Sequence, residues 1–452
     1  MRVFMAFCLV AVLQAAGCPA RSDDVTPLNA PENDLIARAL ADTPNGALRL
    51  APFTQRVWSE DELLRLCAES NVPQAKAIRR LLLGADAPEA RAVAGTALLT
   101  TEQSPRLAWR VSGIYSLNAH ADLVLSLDTT RSLYEQRPLM PWAYMLQLRW
   151  YTSLGEWRIG QAPLRWGGGY SGAMLLSDAA PPLLHIDYRQ QWYLGKRLGS
   201  WQFEQMATLF DEDGSRRYVM ARRLSHALSP RWQISLSEAF KSNKLPAGLS
   251  ALILPFYLYQ HLSSWRLYEG NDEWLNYLAN VQIQYRFAQQ RLYVDLLLDD
   301  LQAPHWLTRF RYTTPRKSGV LIGYHTPLPQ GGQFLVEIAH TDGDPGGGVY
   351  NFKVPENRWR YRDAVLGHPV GTNRDMLFLR LDLPVSQKSY LAIEHVNTRR
   401  ANATPLVPIE QRWTVYAGWL LWKDCGLGAR WSVRRIQNTS HTHWLVYIGG
   451  TF

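Results

Sequence analysis

The 452-residue chain is 47% hydrophobic and carries 18 Trp, 21 Tyr and 13 Phe, with 48 Lys and Arg against 39 Asp and Glu for a net charge of +9. Past residue 20 no apolar run reaches the roughly 18 residues that a membrane-crossing helix requires. These figures exclude a helical membrane protein. Abundant aromatics in short alternating segments point to a large all-β protein, either a soluble sandwich or propeller or a membrane β-barrel.

Residues 1–20 read as an export signal: Arg2 supplies the charged end, Val3 to Leu13 is apolar, and Ala15, Ala16 and Gly17 are small. Two processing routes stay open, cleavage near Ala20 or acylation of Cys18 within Ala15-Ala16-Gly17-Cys18. From Glu32 to Gly84 the apolar residues recur at helical spacing. Ser59 with Glu62 forms a capping box, and Pro73 suits a first helical position. Residues 21–90 are therefore expected to form a small helical module.

Strands begin near Arg91. In Ala279–Phe287, Val281, Ile283, Tyr285 and Phe287 oppose Asn280, Gln282, Gln284 and Arg286. In Met376–Leu383, leucines oppose Arg380 and Asp382; Tyr144–Tyr151 and Arg412–Leu421 alternate in the same way. Trp444, Val446, Ile448, Gly450 and Phe452 alternate to a terminal aromatic residue, as the last strand of an outer-membrane barrel commonly does. Counting back from Phe452, short turns at Ser153–Gly155, Pro327–Gly332 and Lys423–Gly426 alternate with long loops at Ala162–Leu183, Lys241–Leu278 and Asp342–Arg374. With Leu307–Thr313 merged into a loop, residues 91–452 are expected to form an antiparallel outer-membrane β-barrel of about 18 strands, with the helical module in the periplasm.

The stretch Gly160 to Pro182 combines three consecutive glycines with a closing proline pair, and structureless loops of this length are usually functional. Gln161, Arg165-Trp166-Gly167 and Leu176-Ser177-Asp178 with Pro181-Pro182 resemble the signature segment of the Wzi family of outer-membrane capsule-assembly proteins. Gly168 stands where proline usually follows, which suggests a looser loop. The resemblance continues in order through Met220-Ala221-Arg222-Arg223-Leu224, Ser237-Glu238, Asp299-Asp300, Glu337 with His340-Thr341, and Gly367-His368-Pro369 with Asp375. It implies an outer-membrane lectin that holds capsular or extracellular polysaccharide at the cell surface, without chemistry on the sugar.

Read from the residues alone, the basic excess falls on inward strand positions (Arg149, Arg380, Arg412, Arg430, Arg434) and on loops (Arg309, Arg311, Arg316, Arg358, Arg360). Guanidiniums bind carboxylates in pairs of bonds, so an acidic glycan suits them. Aromatic faces for sugar rings come from Trp166, Tyr170, Trp306 and Trp359. The candidate carbohydrate-binding set is Trp166, Tyr170, Trp306, Arg309, Arg311, Trp359, Arg360 and Arg430. An oligosaccharide or organic-anion channel is the second reading, since its lumen would also be basic, and a barrel enzyme the third. Gly169-Tyr170-Ser171-Gly172 lacks the closing glycine of a nucleophile elbow, having Ala173. His185 and Asp187 read as a polar lumen pair, and His340, Asp342 and Asp344 are too few for calcium. No metal or cofactor is expected. The expected partners are an acidic polysaccharide and outer-membrane lipid and lipopolysaccharide, with no nucleic acid, for a monomeric protein. Cys67 and Cys425 fall on the same periplasmic side by this count and are candidates for a disulfide.

Overall fold

The computed structural model describes residues 91–102, 104–118, 121–128, 145–194, 200–212, 214–229, 231–243, 275–287, 290–299, 317–328, 332–343, 348–351, 357–361, 364–386, 389–401, 408–422, 425–436 and 439–451. The export signal, the helical module with Cys67, the Leu307–Thr313 segment and Phe452 lie outside the described residues.

The first strands are β1 (Arg91–Glu102), β2 (Ser104–Asn118), β3 (Ala121–Asp128), β4 (Met145–Thr152), β5 (Gly155–Ala162), β6 (Leu183–Tyr193) and β7 (Ser200–Glu212). Then come β8 (Ser215–Ala227), β9 (Trp232–Ser242), β10 (Leu275–Phe287), β11 (Gln290–Asp299), β12 (Lys317–Leu328) and β13 (Gly332–Thr341). The short β14 (Arg360–Tyr361) and β15 (Ala364–Val365) pair only with each other. The last five are β16 (Arg374–Ser386), β17 (Ser389–Arg400), β18 (Pro408–Trp422), β19 (Cys425–Ile436) and β20 (Thr439–Thr451).

Apart from β14 and β15, these strands form one antiparallel sheet of 18. Strands consecutive in the chain are hydrogen-bonded neighbours, β13 passing to β16 across the 342–373 connection. β1 is paired on one side with β2 and on the other with β20, in the register Thr101 to Trp444 and Ala94 to Thr451. The strands expected around Tyr144–Tyr151, Ala279–Phe287, Met376–Leu383 and Arg412–Leu421 all lie within or beside these elements.

Side chains two apart share a face, and the two faces are opposite in character. On the outer face large apolar groups stand exposed, among them Leu148, Leu236, Leu292, Ile322, Ile338 and Trp413. On the inner face Gln282, Asp295, Glu337, Arg380, Glu394 and Thr414 are buried. A soluble sandwich does the reverse, burying its apolar face and wetting its polar one. Exposed leucines over buried carboxylates make sense only where the outer face meets something apolar. Among the described residues no helix is long and apolar enough to cross a membrane.

One patch breaks the outer-face pattern. On β8–β10, Phe240 and Tyr277 are buried although they point outward, and Arg222 bonds Glu238 at 2.8 Å across the same face.

What covers the inner face is irregular chain. Residues 163–182 and the described parts of the 342–373 connection pack against the strands. Met174, Leu175 and Leu176 of the first, with Val349, Tyr350, Trp359 and Leu366 of the second, form one apolar cluster. The cluster also takes in the inward residues Leu297, Leu321, Leu335 and Ala339. Each fully buried Leu, Val or Met side chain among these contributes ~1.5–3 kcal/mol relative to exposure. The chain therefore builds its apolar core inside a polar wall.

Close approach of β12 to β11 rests on Gly323, where a Cβ would run into the Tyr293 ring. Gly323→Ala is expected to push that ring aside and cost about 1–3 kcal/mol as an overpacked site. The loss should appear as a lower denaturant midpoint, and an unchanged midpoint would show that the ring has room to move.

Candidate functional site

The 163–182 connection has no regular structure beyond a bridge between Trp166 and Leu176, whose backbone bond is 2.9 Å. Its remaining backbone groups need partners away from water, and the inner face supplies them. Glu337, fully buried at the middle of β13, accepts from the N–H groups of Tyr170 and of Ser171, the latter at 2.7 Å, and from the Tyr293 hydroxyl. Asp295 accepts from Met174 N–H at 3.0 Å. Gln282 donates to the Trp166 carbonyl at 2.7 Å, and Arg291 to the Gly168 carbonyl at 3.0 Å. Arg165 and Asp178 close the ends of the turn at 2.5 Å. The glycine run permits this contact: a Cβ at Gly169 would collide with Leu321 and with the Gly172 carbonyl. The loop is thus tightly held at Gly168 and Gly169, contrary to the looser loop expected from the missing proline.

The second connection locks onto the first. The Tyr350 hydroxyl donates to the Met174 carbonyl at 2.6 Å, the Trp359 indole N–H to the Leu175 carbonyl at 2.7 Å, and Ser177 N–H to the Leu366 carbonyl at 2.8 Å. His368 lies buried between the loops. Its Nδ1 accepts Val370 N–H at 3.1 Å, so the ring proton sits on Nε2 and points at Ser171 Oγ, 3.2 Å away. A histidine in that tautomer donates to the serine and takes no proton from it, so this pair lacks the base of a nucleophilic dyad. Burial first, and Arg165 second, press the His368 imidazole down to about 3.

At the root of the second loop a half-exposed clasp joins β12, β13, β16 and β17. His340 meets Asp375 through Nδ1 at 2.6 Å and Asp342 through Nε2 at 3.0 Å. Arg399 reaches Asp375 at 2.9 Å, and Ser318 donates both N–H and hydroxyl to Asp342. Burial opposes ionisation of Asp342, but the Ser318 and His340 bonds outweigh it and hold that carboxyl below its usual range. Both ring nitrogens of His340 face groups that only accept, an arrangement suited to imidazolium. Among the described residues no cluster of His, Cys, Asp and Glu is fit to hold a metal ion.

The sequence-derived sugar contacts divide. Trp359, expected on an outer loop, is fully buried, and Trp166 is 5% exposed beneath the Arg223 guanidinium. Neither ring face is open to a saccharide, because packing the two loops against each other consumes both. Arg360 offers its carbonyl to Lys241 at 2.6 Å. Tyr170 is partly exposed, tilted against Phe378, with its hydroxyl bonded by Arg380. Arg430 lies half-buried on the inner face over the Tyr416 ring. Trp306, Arg309 and Arg311 lie outside the described residues. Glu337, Asp295 and Tyr293 were not singled out as loop anchors from sequence. The available signal is an acid between apolar inward neighbours, Glu337 between Leu335 and Ala339 and Asp295 between Tyr293 and Leu297.

The inner wall itself is a network of charges. Arg158 and Glu156 pair at 2.7 Å, Arg189 and Glu204 at 3.0 Å, and Glu204 also takes the buried Arg223. His185 and Asp187, two apart on one strand face, meet at 3.2 Å.

The family pattern described as capsule assembly protein Wzi matches residues 152–444, more than half of the chain and including both loops and the clasp. The chain belongs to the Wzi family. Among solved structures it resembles Wzi of Escherichia coli, an outer-membrane protein described as involved in group 1 capsule assembly and as a carbohydrate-binding β-barrel. That likeness has a TM-score of 0.67 at 14% identity, and covers 96% of this chain and all of the other. OccK11 (OpdR) of Pseudomonas aeruginosa is a more distant likeness, with TM-score 0.46, 12% identity, and 80% and 95% of the two chains covered. No curated protein sequence matches this chain. At 14% identity the Escherichia coli structure shows the fold alone, and the family assignment rests on the sequence pattern. This Wzi-family chain carries its signature segment at the loop that Glu337 anchors.

Glu337→Gln removes the charge that three donors share and is expected to loosen the loop by roughly 1.5–3 kcal/mol. Protease cleavage within 166–176 should accelerate while strand content is unchanged; equal cleavage rates would assign the anchoring elsewhere. His368 gives a pH test. An unfolded histidine takes its proton near 6.5, whereas the docked one resists until about 3. Docking is therefore fully stable above about pH 6.5 and weakens as pH falls through that window. Amide protection of 166–176, corrected for intrinsic exchange, should drop between neutral pH and about pH 4 in wild type. The drop should be smaller in His368→Gln.

Proposed function

We infer that this protein is an outer-membrane barrel that binds capsular or extracellular polysaccharide at the cell surface and holds it there. The pairing of β1 with both β2 and β20 supports closure of the 18 strands into a barrel, and the exposed apolar outer face supports insertion in lipid. Residues 1–20 serve as the export signal and 21–90 as a periplasmic module. The short-turn ends of the strands then face the periplasm and the long connections face outward. The Wzi family membership, with a structural relative described as carbohydrate-binding, supports the ligand class.

The observation that favours binding over conduction is the packing of two interlocked loops against the inner face. A pore needs an open polar path, whereas here Met174, Leu175, Tyr350 and Trp359 fill the space beside the inner wall with a dry core. The protein acts by retention, without chemistry on the sugar and without a metal or cofactor. Its surface contacts are Trp306, Arg309 and Arg311 in the connection after β11, joined by basic groups at the outer ends of β16–β19. The net charge of +9 favours an acidic glycan.

The purified protein in detergent should retain an acidic polysaccharide on a pull-down. Retention should weaken as salt shortens the Debye length below its ~8 Å at physiological strength. Planar bilayers should show no steady conductance steps. Conductance without retention would replace this reading with the channel.

A further inference from the structure

Most of the inner wall is either covered by the two loops or neutralised by charge pairs, but on the inner face of β16–β19 the arginines outnumber the carboxylates that pair with them. Exposure there falls with depth. Arg434, paired with Glu410 at 2.8 Å, is 46% exposed; Arg412, paired with Glu394 at 3.3 Å, is 35% exposed; Arg380, beside Asp382, is 7% exposed. The strands' long-connection ends lie at the exposed end of this gradient.

Register makes the arrangement electrostatically unusual. Arg374 lies directly opposite Arg400, and Arg412 directly opposite Arg434. Like charges directly opposite one another in a ladder destabilise it. One level deeper, Tyr416 lies opposite Arg430, and its ring carries the Arg430 guanidinium at 5.3 Å and that of Arg380 at 5.6 Å. Among the described residues this face holds six guanidiniums, Arg374, Arg380, Arg400, Arg412, Arg430 and Arg434, against three carboxylates, Asp382, Glu394 and Glu410. The buried Nε of Arg412 has no acceptor. A cationic excess aligned along one stripe, open at one end and closed at the other by Tyr170, calls for an anion.

We propose that the inner face of β16–β19 is a track for carboxylate-bearing sugar units, entering at Arg400 and Arg434 and reaching as far as Arg430 and Tyr416. The stripe faces away from the lipid side, so its anion is a glycan carboxylate and not a lipid phosphate. Glu394 and Glu410 take sugar hydroxyls and meanwhile hold the guanidiniums in place. This rests on the polysaccharide reading and adds to it where the acidic group sits.

The test compares an oligogalacturonate with its carboxyl-reduced, neutral form by titration calorimetry on the detergent-purified full chain. Wild type should bind the acidic form about tenfold more tightly, the scale of one charge-assisted contact. Arg412→Gln with Arg430→Gln should abolish that preference, and Arg434→Gln, at the exposed mouth, should reduce it without touching the fold. Glu410→Gln should strengthen acidic binding, because it releases the Arg434 guanidinium to the ligand, a gain that mere structural damage would not produce. Arg399→Gln, on the outer face, should leave the preference intact. If wild type prefers the acidic form but neither the Arg434 nor the double variant alters it, the track is wrong and the polysaccharide reading stands. Equal binding of both forms by wild type likewise overturns the track alone. If neither form binds, both ideas fall.

Discussion

The architecture of the inner face depends on a buried carboxylate finding donors. Glu337 sits at the centre of β13 with its side chain fully enclosed, and an unpaired charge there would be prohibitive. The strand's own backbone is committed to β12 and β16, so the donors must come from elsewhere. Tyr170 and Ser171 supply two backbone N–H groups from 166 and more residues away in sequence, and Tyr293 supplies a hydroxyl. The need is mutual. A loop in contact with a sheet has N–H groups that no ladder satisfies, and the carboxylate satisfies two at once. The close approach this requires selects glycine at 169 on one side and glycine at 323, beneath the Tyr293 ring, on the other.

From that anchor the second loop follows. Once residues 170–176 lie against the wall, the carbonyls of Met174 and Leu175 face away from it, where they are capped by Tyr350 and Trp359. Two polar handles on large apolar bodies suit this position: each hydrogen bond satisfies the first loop while each ring buries apolar area against it. Binding and loop packing therefore compete for the same residue type. Aromatic residues in long connections would serve a sugar ring equally well, but here the packing of the two loops takes Trp166 and Trp359 first.

That competition explains which features were legible in the sequence. Strand spans and the short turns follow from a two-residue period and from local turn chemistry, so β4, β10, β16 and β18 fall where the alternation puts them. The inward arginines are legible for the same reason, since parity alone assigns Arg380, Arg412, Arg430 and Arg434 to one face. The direction in which a loop folds is not a local property. Arg358-Trp359-Arg360 looks like a solvated basic cluster to any short-range rule, and only the Leu175 carbonyl, 184 residues away, makes Trp359 a core residue. The missing proline after Gly167 likewise seemed to loosen the signature loop, because its restraints come from Gln282, Arg291 and Glu337 rather than from its own chain.

The charges of the inner wall also constrain the sheet itself. Glu156 lies opposite Arg189, Arg189 opposite Glu204, and Glu204 opposite Arg223, so a run of alternating signs crosses β5 to β8 at one level. Such buried pairs contribute little net stability compared with apolar residues of similar volume, because desolvation offsets their attraction. Their consequence lies in the alternatives they penalise. A one-residue slip between any two of these strands would move a full set of charges to the apolar outer face and leave their partners unpaired. The run thus fixes register where the outer face, a surface of similar aliphatic side chains, offers little to distinguish one pairing from the next. On β16–β19 the same device is incomplete: Arg380 lies opposite Glu394, but Arg374 faces Arg400 and Arg412 faces Arg434. A wall selected for register alone would have alternated signs there too.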